Sequence, residues 1–316
     1  MPACRPVPPI LAACLLMLAV FAPGRPLAAA EPAPTPQARQ LLKQADRILV
    51  LGDSITYGGR WVACLTCWLE SAGIDGMVID MGLSSETVSG LSEQGHAGGK
   101  FPRPDLRERL DRVLRVSRPD LVLACYGMNC GIYQPLDPER FARFRQGIER
   151  LHAEVEATGA AIVHLTPPIY DQRPDKPGPA GPTDYDAVLA AYSRWLLAKR
   201  EDGWLVIDVH GPMKQALAEA RQADPAVIFS PDTVHPSADG HWAICRAVLD
   251  GLGVPESWTS EQTEPLLPLV TRRQNLLRDA YLSAAGHLRP GVRGGLPLDE
   301  AIRAADRLTE QIRANR

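Results

Sequence analysis

Arg47-Ile48-Leu49-Val50-Leu51-Gly52-Asp53-Ser54-Ile55-Thr56 decides how the rest of the chain is read. Four consecutive aliphatic residues, with no polar alternation, are what a strand covered on both faces looks like. Gly-Asp-Ser follows directly, and Gly58-Gly59 opens an apolar stretch from Trp61 to Leu69. The segment therefore reads as a buried strand that turns sharply into a helix.

The same kind of run recurs. Met77–Met81, Asp120–Tyr126, Ala160–Thr166 and Trp204–Val209 are short, rich in Val, Ile and Leu, and closed by turn or polar residues. Between them lie apolar stripes at helical spacing: Leu106, Leu110, Val113 and Leu114; Phe141, Phe144, Ile148, Leu151 and Val155; Val188, Ala191, Tyr192, Trp195 and Leu196; Ala243, Ala247, Val248 and Leu252. Strand and helix in alternation predict an α/β fold, a parallel sheet with helices on both faces. Ligands in such sheets bind beyond the carboxyl ends of the strands, so the residues directly after each run are where chemistry is sought. From about Pro255 the alternation stops. Helices are expected over 271–285 and 298–313, the second with Leu298, Ile302, Ala305, Leu308 and Ile312 on one face. About 60 residues make a marginal core alone, so 255–316 is read as a helical extension of a domain spanning 31–254.

Composition narrows the classes. The 316 residues are 45% hydrophobic, which excludes disorder for the bulk of the chain. With 34 basic against 37 acidic residues and a net charge of −3, no basic excess exists to neutralise phosphates, so nucleic acid is not an expected partner. Residues 1–30 have the layout of an export signal: Arg5, an apolar run from Ile10 to Ala22, the Pro23-Gly24 break, then Ala28-Ala29-Ala30 before Glu31. That run is too short to span a bilayer as a stable helix. The expected product is exported to periplasm or medium with no stable membrane insertion after cleavage. Cys14 lies inside the apolar run rather than closing it, which argues against a lipid anchor. Cleavage would move the formal charge from −3 to −5 and leave Cys64, Cys67, Cys125, Cys130 and Cys245. Cys64-Leu-Thr-Cys67 invites a zinc or redox reading, but no second pair stands at zinc spacing. Buried small hydrophobes on a helix account better for it.

Four strand-end features carry chemistry. Ser54 at a strand-to-helix turn combines a projecting hydroxyl with a free backbone N–H; read alone, it could equally be a helix cap. Asp232-Thr-Val-His235 sets an imidazole beside a carboxylate that can orient it, although an Asx turn with a surface histidine reads the same. Asn129, in Tyr126-Gly-Met-Asn129-Cys130, can donate an amide to a developing oxyanion or simply occupy a Gly-rich turn. Gly82, closing the second run, allows close approach of its backbone N–H or serves turn geometry alone. His164 reads as structural, and His241 has no partner at metal-binding spacing. Asp208-Val-His210 lies at the right level without a third ligand to name.

Taken in order, Gly-Asp-Ser, the second-strand Gly, Gly-x-Asn and Asp-x-x-His resemble the SGNH (GDSL-type) hydrolases, over roughly residues 47–252. The nearest resemblance is to secreted bacterial GDSL-like acylhydrolases, including Gly95-His-Ala-Gly-Gly99 and Thr166-Pro167-Pro168. The resemblance implies a three-layer flavodoxin-like domain and ester hydrolysis without metal or other cofactor. Ser54 would be the nucleophile, His235 the base and Asp232 its orienter. Ser54 N–H, Gly82 N–H and the Asn129 side chain would form the oxyanion hole. Asp53, His96 and Cys130 are candidates for the substrate pocket. Two positions depart from the family pattern: Asp80 stands where Asn is frequent, and Cys130 where Asp commonly follows the asparagine.

The expected activity is hydrolysis of acyl esters through an acyl-enzyme, with short acyl groups on carbohydrate, acetyl above all, as first substrates. The partner is then a small-molecule or glycan ester. Lysophospholipase, thioesterase or arylesterase chemistry at the same site is the alternative within enzymes. A catalytically silent glycan-binding protein of the same fold is the alternative outside them.

Overall fold

The structure, a computed structural model, describes residues 36–316 and Met1, so the expected export signal, with Cys4 and Cys14, lies outside the described residues. Five strands, β1 (Arg47–Gly52), β2 (Met77–Asp80), β3 (Leu121–Cys125), β4 (Ala161–Leu165) and β5 (Leu205–Ile207), form one sheet. Their order is β2-β1-β3-β4-β5, and every pairing is parallel. This is the flavodoxin-like order. All five residues of β3 are buried. Successive strand side chains point to opposite faces, so both faces of the sheet are covered, as the unbroken apolar runs require.

Ten α-helices surround the sheet among the described residues. In chain order they are α1 (Pro36–Gln44), α2 (Ser54–Gly58), α3 (Arg60–Ser71), α4 (Leu110–Ser117), α5 (Pro138–Glu156), α6 (Tyr185–Ala198), α7 (His210–Ala223), α8 (Ala238–Gly251), α9 (Leu267–Ala285) and α10 (Leu298–Ala314). Two of them have no counterpart in the sequence reading. Helix α1 lies directly after a Pro-rich leader, and α7 buries only His210, Met213 and Leu217, too sparse a stripe to show as periodicity. The two C-terminal helices appear where expected, α9 starting four residues early. Helix α9 packs along β2, α3 and α4, and α10 packs on α9. A small apolar cluster of Ala63, Cys67, Leu266, Val270 and Ile312 joins them to α3.

The chain leaves β2 on one side of β1 and returns through β3 on the other. The reversal opens a crevice at the carboxyl ends of β1 and β3, where ligands of such sheets bind. Two glycines permit the close packing there. A Cβ on Gly52 would stand 2.8 Å from the Cys125 carbonyl oxygen of β3, and one on Gly82 would stand 2.4 Å from the backbone N of Tyr57 in α2.

Candidate active site

Ser54 is the first residue of α2. Asp53 caps the helix, its carboxylate accepting from Ile55 N–H at 3.0 Å. Ser54 N–H is thus a first-turn donor without a partner in its own helix. Asp53, a pocket candidate from the sequence, is almost wholly buried, and that burial pushes its carboxyl up to about 6 against the opposing pull of the Ile55 hydrogen bond.

The loop before α8 brings the other two side chains to the serine, His235 from 181 positions away. His235 Nε2 lies 2.9 Å from Ser54 Oγ, and His235 Nδ1 lies 2.7 Å from Asp232 Oδ2. The second Asp232 oxygen accepts from the backbone N–H of Val234 at 3.0 Å and of His235 at 2.7 Å. Partial desolvation raises the Asp232 carboxyl, but its hydrogen bonds from the His235 ring and backbone outweigh this and hold it below the ordinary value. Both side chains remain 53% exposed. Thr233, between them, takes φ 78°, a left-handed conformation costly for a β-branched residue.

The loop is held from below by Asp171. Its buried carboxylate accepts from Phe229 N–H at 2.9 Å and Ser230 N–H at 3.0 Å, and pairs with Arg221 at 2.7 Å. Arg173 reaches over to the carbonyl oxygens of Ser230 and Pro231, both at 3.1 Å. None of these three residues was singled out from the sequence. Asp171 follows Thr166-Pro167-Pro168 at the end of β4, and that position at a strand end is the only signal that pointed toward it.

Across the crevice, Asn129 is 2% exposed. Its Oδ1 accepts from Arg103 Nη1 at 2.9 Å and from Tyr133 Oη at 3.0 Å, and its Nδ2 donates to the Glu86 carbonyl at 3.3 Å. Glu86 is itself fully buried, paired with Arg109 at 2.6 Å and accepting from Tyr126 Oη at 2.6 Å. Arg109 also donates to the Met81 carbonyl at 2.8 Å, tying the end of β2 to the end of β3.

Gly82 N–H, the third expected oxyanion donor, already has a partner: it donates to Asp80 Oδ1 at 2.9 Å. Asp80 is fully buried, which pushes its carboxyl up to about 7 despite the Gly82 hydrogen bond. Its other oxygen accepts from Gln274 Nε2 of α9 at 2.9 Å, and the same amide donates to the Gly59 carbonyl at 3.0 Å. Arg278 donates to the Tyr57 carbonyl at 2.8 Å, so α9 braces both ends of the serine turn.

The remaining candidates lie outside the Asp232–His235–Ser54 line, with His96 beside the Glu93 that pairs with Arg103. Cys130, expected beside the pocket, is fully buried, and burial pushes its thiol up to about 12; it does not line the site. His96 stacks edge-on against Phe101 and lies 3.4 Å from Glu93. His164 is buried against His152 at 3.1 Å, and burial lowers its ring to about 3. His210 pairs with Asp186, and His241 is buried in α8. Cys64, Cys67 and Cys245 are buried free thiols, with Cys64 inside α3 rather than exposed at a helix start. Among the described residues, no group of three or more His, Cys, Asp or Glu could hold a metal ion, and no helix is long and apolar enough to cross a membrane.

Comparison with known proteins bears on this geometry. The profile of the GDSL-like Lipase/Acylhydrolase family matches residues 50–243. Comparison with the curated proteins finds no match. Among solved structures, a gut microbial diltiazem-metabolizing enzyme is similar with TM-score 0.54 and 20% identity. That alignment covers 66% of this chain and 47% of the other, so the chain spans under half of that protein's length. A variant of Axe2, an acetylxylan esterase from Geobacillus stearothermophilus, gives TM-score 0.50 and 21% identity over 66% of this chain and 95% of its own. LAE5, an alpha/beta hydrolase enzyme from the metagenome of Lake Arreo, Spain, gives the same score, identity and coverage. At such identities these likenesses speak to the fold.

Proposed function

Because the chain belongs to the GDSL-like Lipase/Acylhydrolase family and is a carboxylic ester hydrolase, we propose that Ser54, His235 and Asp232 form its catalytic triad. The carrying observation is the unbroken hydrogen-bonded line from Asp232 Oδ2 through the His235 ring to Ser54 Oγ, at 2.7 and 2.9 Å. In the reaction, His235 Nε2 takes the Ser54 hydroxyl proton as Oγ bonds to the ester carbonyl carbon. The tetrahedral oxyanion is met by Ser54 N–H and the Asn129 amide. Gly82 N–H joins them as a donor shared with Asp80. Collapse breaks the ester C–O bond, and His235 returns the proton to the departing alcohol. Water, deprotonated in turn by His235, then releases the acid and restores Ser54.

The substrate proposal is a short acyl ester, acetyl first, on a carbohydrate alcohol. The half-exposed His235 side of the site leaves room for a bulky alcohol. The Asn129 side is polar, with Arg103, Tyr133 and Glu93, and offers little apolar surface to a long alkyl chain. The acetylxylan esterase of like fold makes acetylated xylan a natural first polymer to assay. Export after cleavage of residues 1–30 belongs to the same proposal, as does the reading of 255–316 as an extension of the catalytic domain.

The test is hydrolysis of p-nitrophenyl acetate, butyrate and octanoate by the protein and by Ser54→Ala. The expected result is a rate falling with acyl length and lost on the order of 10⁴-fold or more in Ser54→Ala. Activity that survives the substitution unchanged overturns the triad. A preference for octanoate overturns the short-acyl reading while leaving the triad in place.

A further inference from the structure

Asn129 is useful as an oxyanion donor only if its NH₂ group, rather than its carbonyl, faces the substrate. An amide can sit either way round in the same volume, and the two orientations are separated by hydrogen bonding alone. Here the choice is forced by Arg103. A guanidinium has donors and no acceptor, so the atom 2.9 Å from Arg103 Nη1 must be the carbonyl oxygen. Tyr133 Oη fills the second lone pair of that oxygen at 3.0 Å. With Oδ1 saturated, Nδ2 faces the other way. One of its protons goes to the Glu86 carbonyl at 3.3 Å, leaving one for the site.

Arg103 is itself held firmly. Glu93 accepts from Nε at 2.7 Å and from Nη2 at 2.6 Å, a two-point pairing that fixes the plane of the guanidinium. The cation lies 5.2 Å from the centre of the Tyr133 ring, and the side chain is only 6% exposed. A buried cation donating to an amide oxygen draws electron density from the nitrogen, and so strengthens the N–H as a donor.

We propose that Arg103 is a positioning residue for the oxyanion hole, holding the Asn129 amide with its NH₂ toward the reacting carbonyl and polarising it, with Glu93 as its support. The inference rests on the reading of Asn129 as an oxyanion donor given above. Arg103 does not touch the substrate; it acts through Asn129.

That route makes a specific demand on kinetics. With p-nitrophenyl acetate, Asn129→Ala is expected to lower kcat about 10²–10³-fold. Arg103→Met should lower kcat about 10–100-fold with KM changed less than twofold, and Arg103→Lys should recover part of the loss. The double variant Arg103→Met/Asn129→Ala should be no slower than Asn129→Ala alone, because the amide through which Arg103 acts is gone. Losses that multiply in the double variant overturn the proposal while leaving the triad untouched, as does a loss confined to KM. Wild-type activity in Asn129→Ala overturns the oxyanion reading together with this one, whereas the fate of Ser54→Ala reports on the triad separately. Should Arg103→Met fail to fold, Glu93→Gln keeps the arginine and removes half of its support. It should cost about 3–10-fold in kcat in the wild-type background and nothing in Asn129→Ala; a loss that persists there overturns the proposal.

Discussion

The two walls of the crevice are built on opposite principles. The Asp232–His235 wall is half-exposed, short-range and strained. Its carboxylate bonds to residues two and three positions on, across a threonine at φ 78°. The Asn129 wall is buried, long-range and charged. Its amide is set by Arg103, 26 positions away, and by Glu86, 43 positions away. A group that must pick up and release protons gains from contact with water, whereas fixed dipoles act best where water is excluded. Under the roles proposed above, the site keeps its proton carrier wet and its oxyanion donors dry by drawing them from loops of different depth.

The sharpest way to break the comparison is Asp232→Asn. An amide there can hold the ring in place but cannot stabilise its positive form, and its NH₂ group competes for the wrong tautomer. The expected loss is about 10³–10⁴-fold in kcat on p-nitrophenyl acetate, with thermal stability little changed because the position is half-exposed. A loss of only a few fold would mean that the exposed wall does not carry the proton chemistry.

This contrast also governs what could be read in advance. Asp-x-x-His is legible because both partners sit on one turn, and Gly-Asp-Ser because it follows an unbroken apolar run. The five strands were legible because burial on both faces leaves short aliphatic runs, and their parallel direction because those runs alternate with helical stripes. Arg103, Glu93 and Asp171 were not legible. Each lies in a loop with no periodicity, and its partner is fixed by the fold rather than by spacing. Cys130 shows the converse error, since proximity to Asn129 in the chain suggested a place in the pocket that the turn after β3 denies it.

Asp171 tests how far the exposed wall depends on buried support. Its carboxylate satisfies two backbone N–H groups and pairs with Arg221 and Arg173. Asp171→Ala leaves all of them without that partner, with an expected loss of about 3–5 kcal/mol in unfolding free energy. Denaturant titration measures it. A loss below about 1 kcal/mol would show that the loop holds its shape without Asp171.

Asp80 offers a milder test on the buried side. Its carboxyl is raised to about 7 from an ordinary 3.8, chiefly by burial. Between about pH 4 and pH 7 the folded chain therefore binds more protons than the unfolded chain, and stability falls as pH rises through that window. Asp53, raised to about 6, adds to the slope with the same sign. Asp80→Asn keeps an acceptor for Gly82 N–H, and the Gln274 carbonyl, which has no partner among the described residues, can turn to receive the new NH₂. The substitution should stabilise the fold by on the order of 2 kcal/mol at pH 8 and by much less at pH 4.5. Melting curves at the two pH values decide it, and an equal gain at both would remove Asp80 from the pH dependence.

The smallest effect concerns strain. Thr233 is fully buried, its hydroxyl finds no partner among the described residues, and its backbone is left-handed. The unpartnered hydroxyl and the left-handed backbone each cost stability, and only the backbone one serves Asp232, by letting its carboxylate curl round to the His235 ring and N–H. Glycine adopts that φ without a clash but adds freedom to the unfolded chain, so the two effects partly cancel. Thr233→Gly should raise the unfolding free energy by about 0.5–1 kcal/mol and lower kcat less than about tenfold, because the turn persists while its rigidity falls. Loss of stability instead would mean that Thr233 packing outweighs its strain. The exposed wall would then be as tightly built as the buried one, and the contrast between them would reduce to solvent access alone.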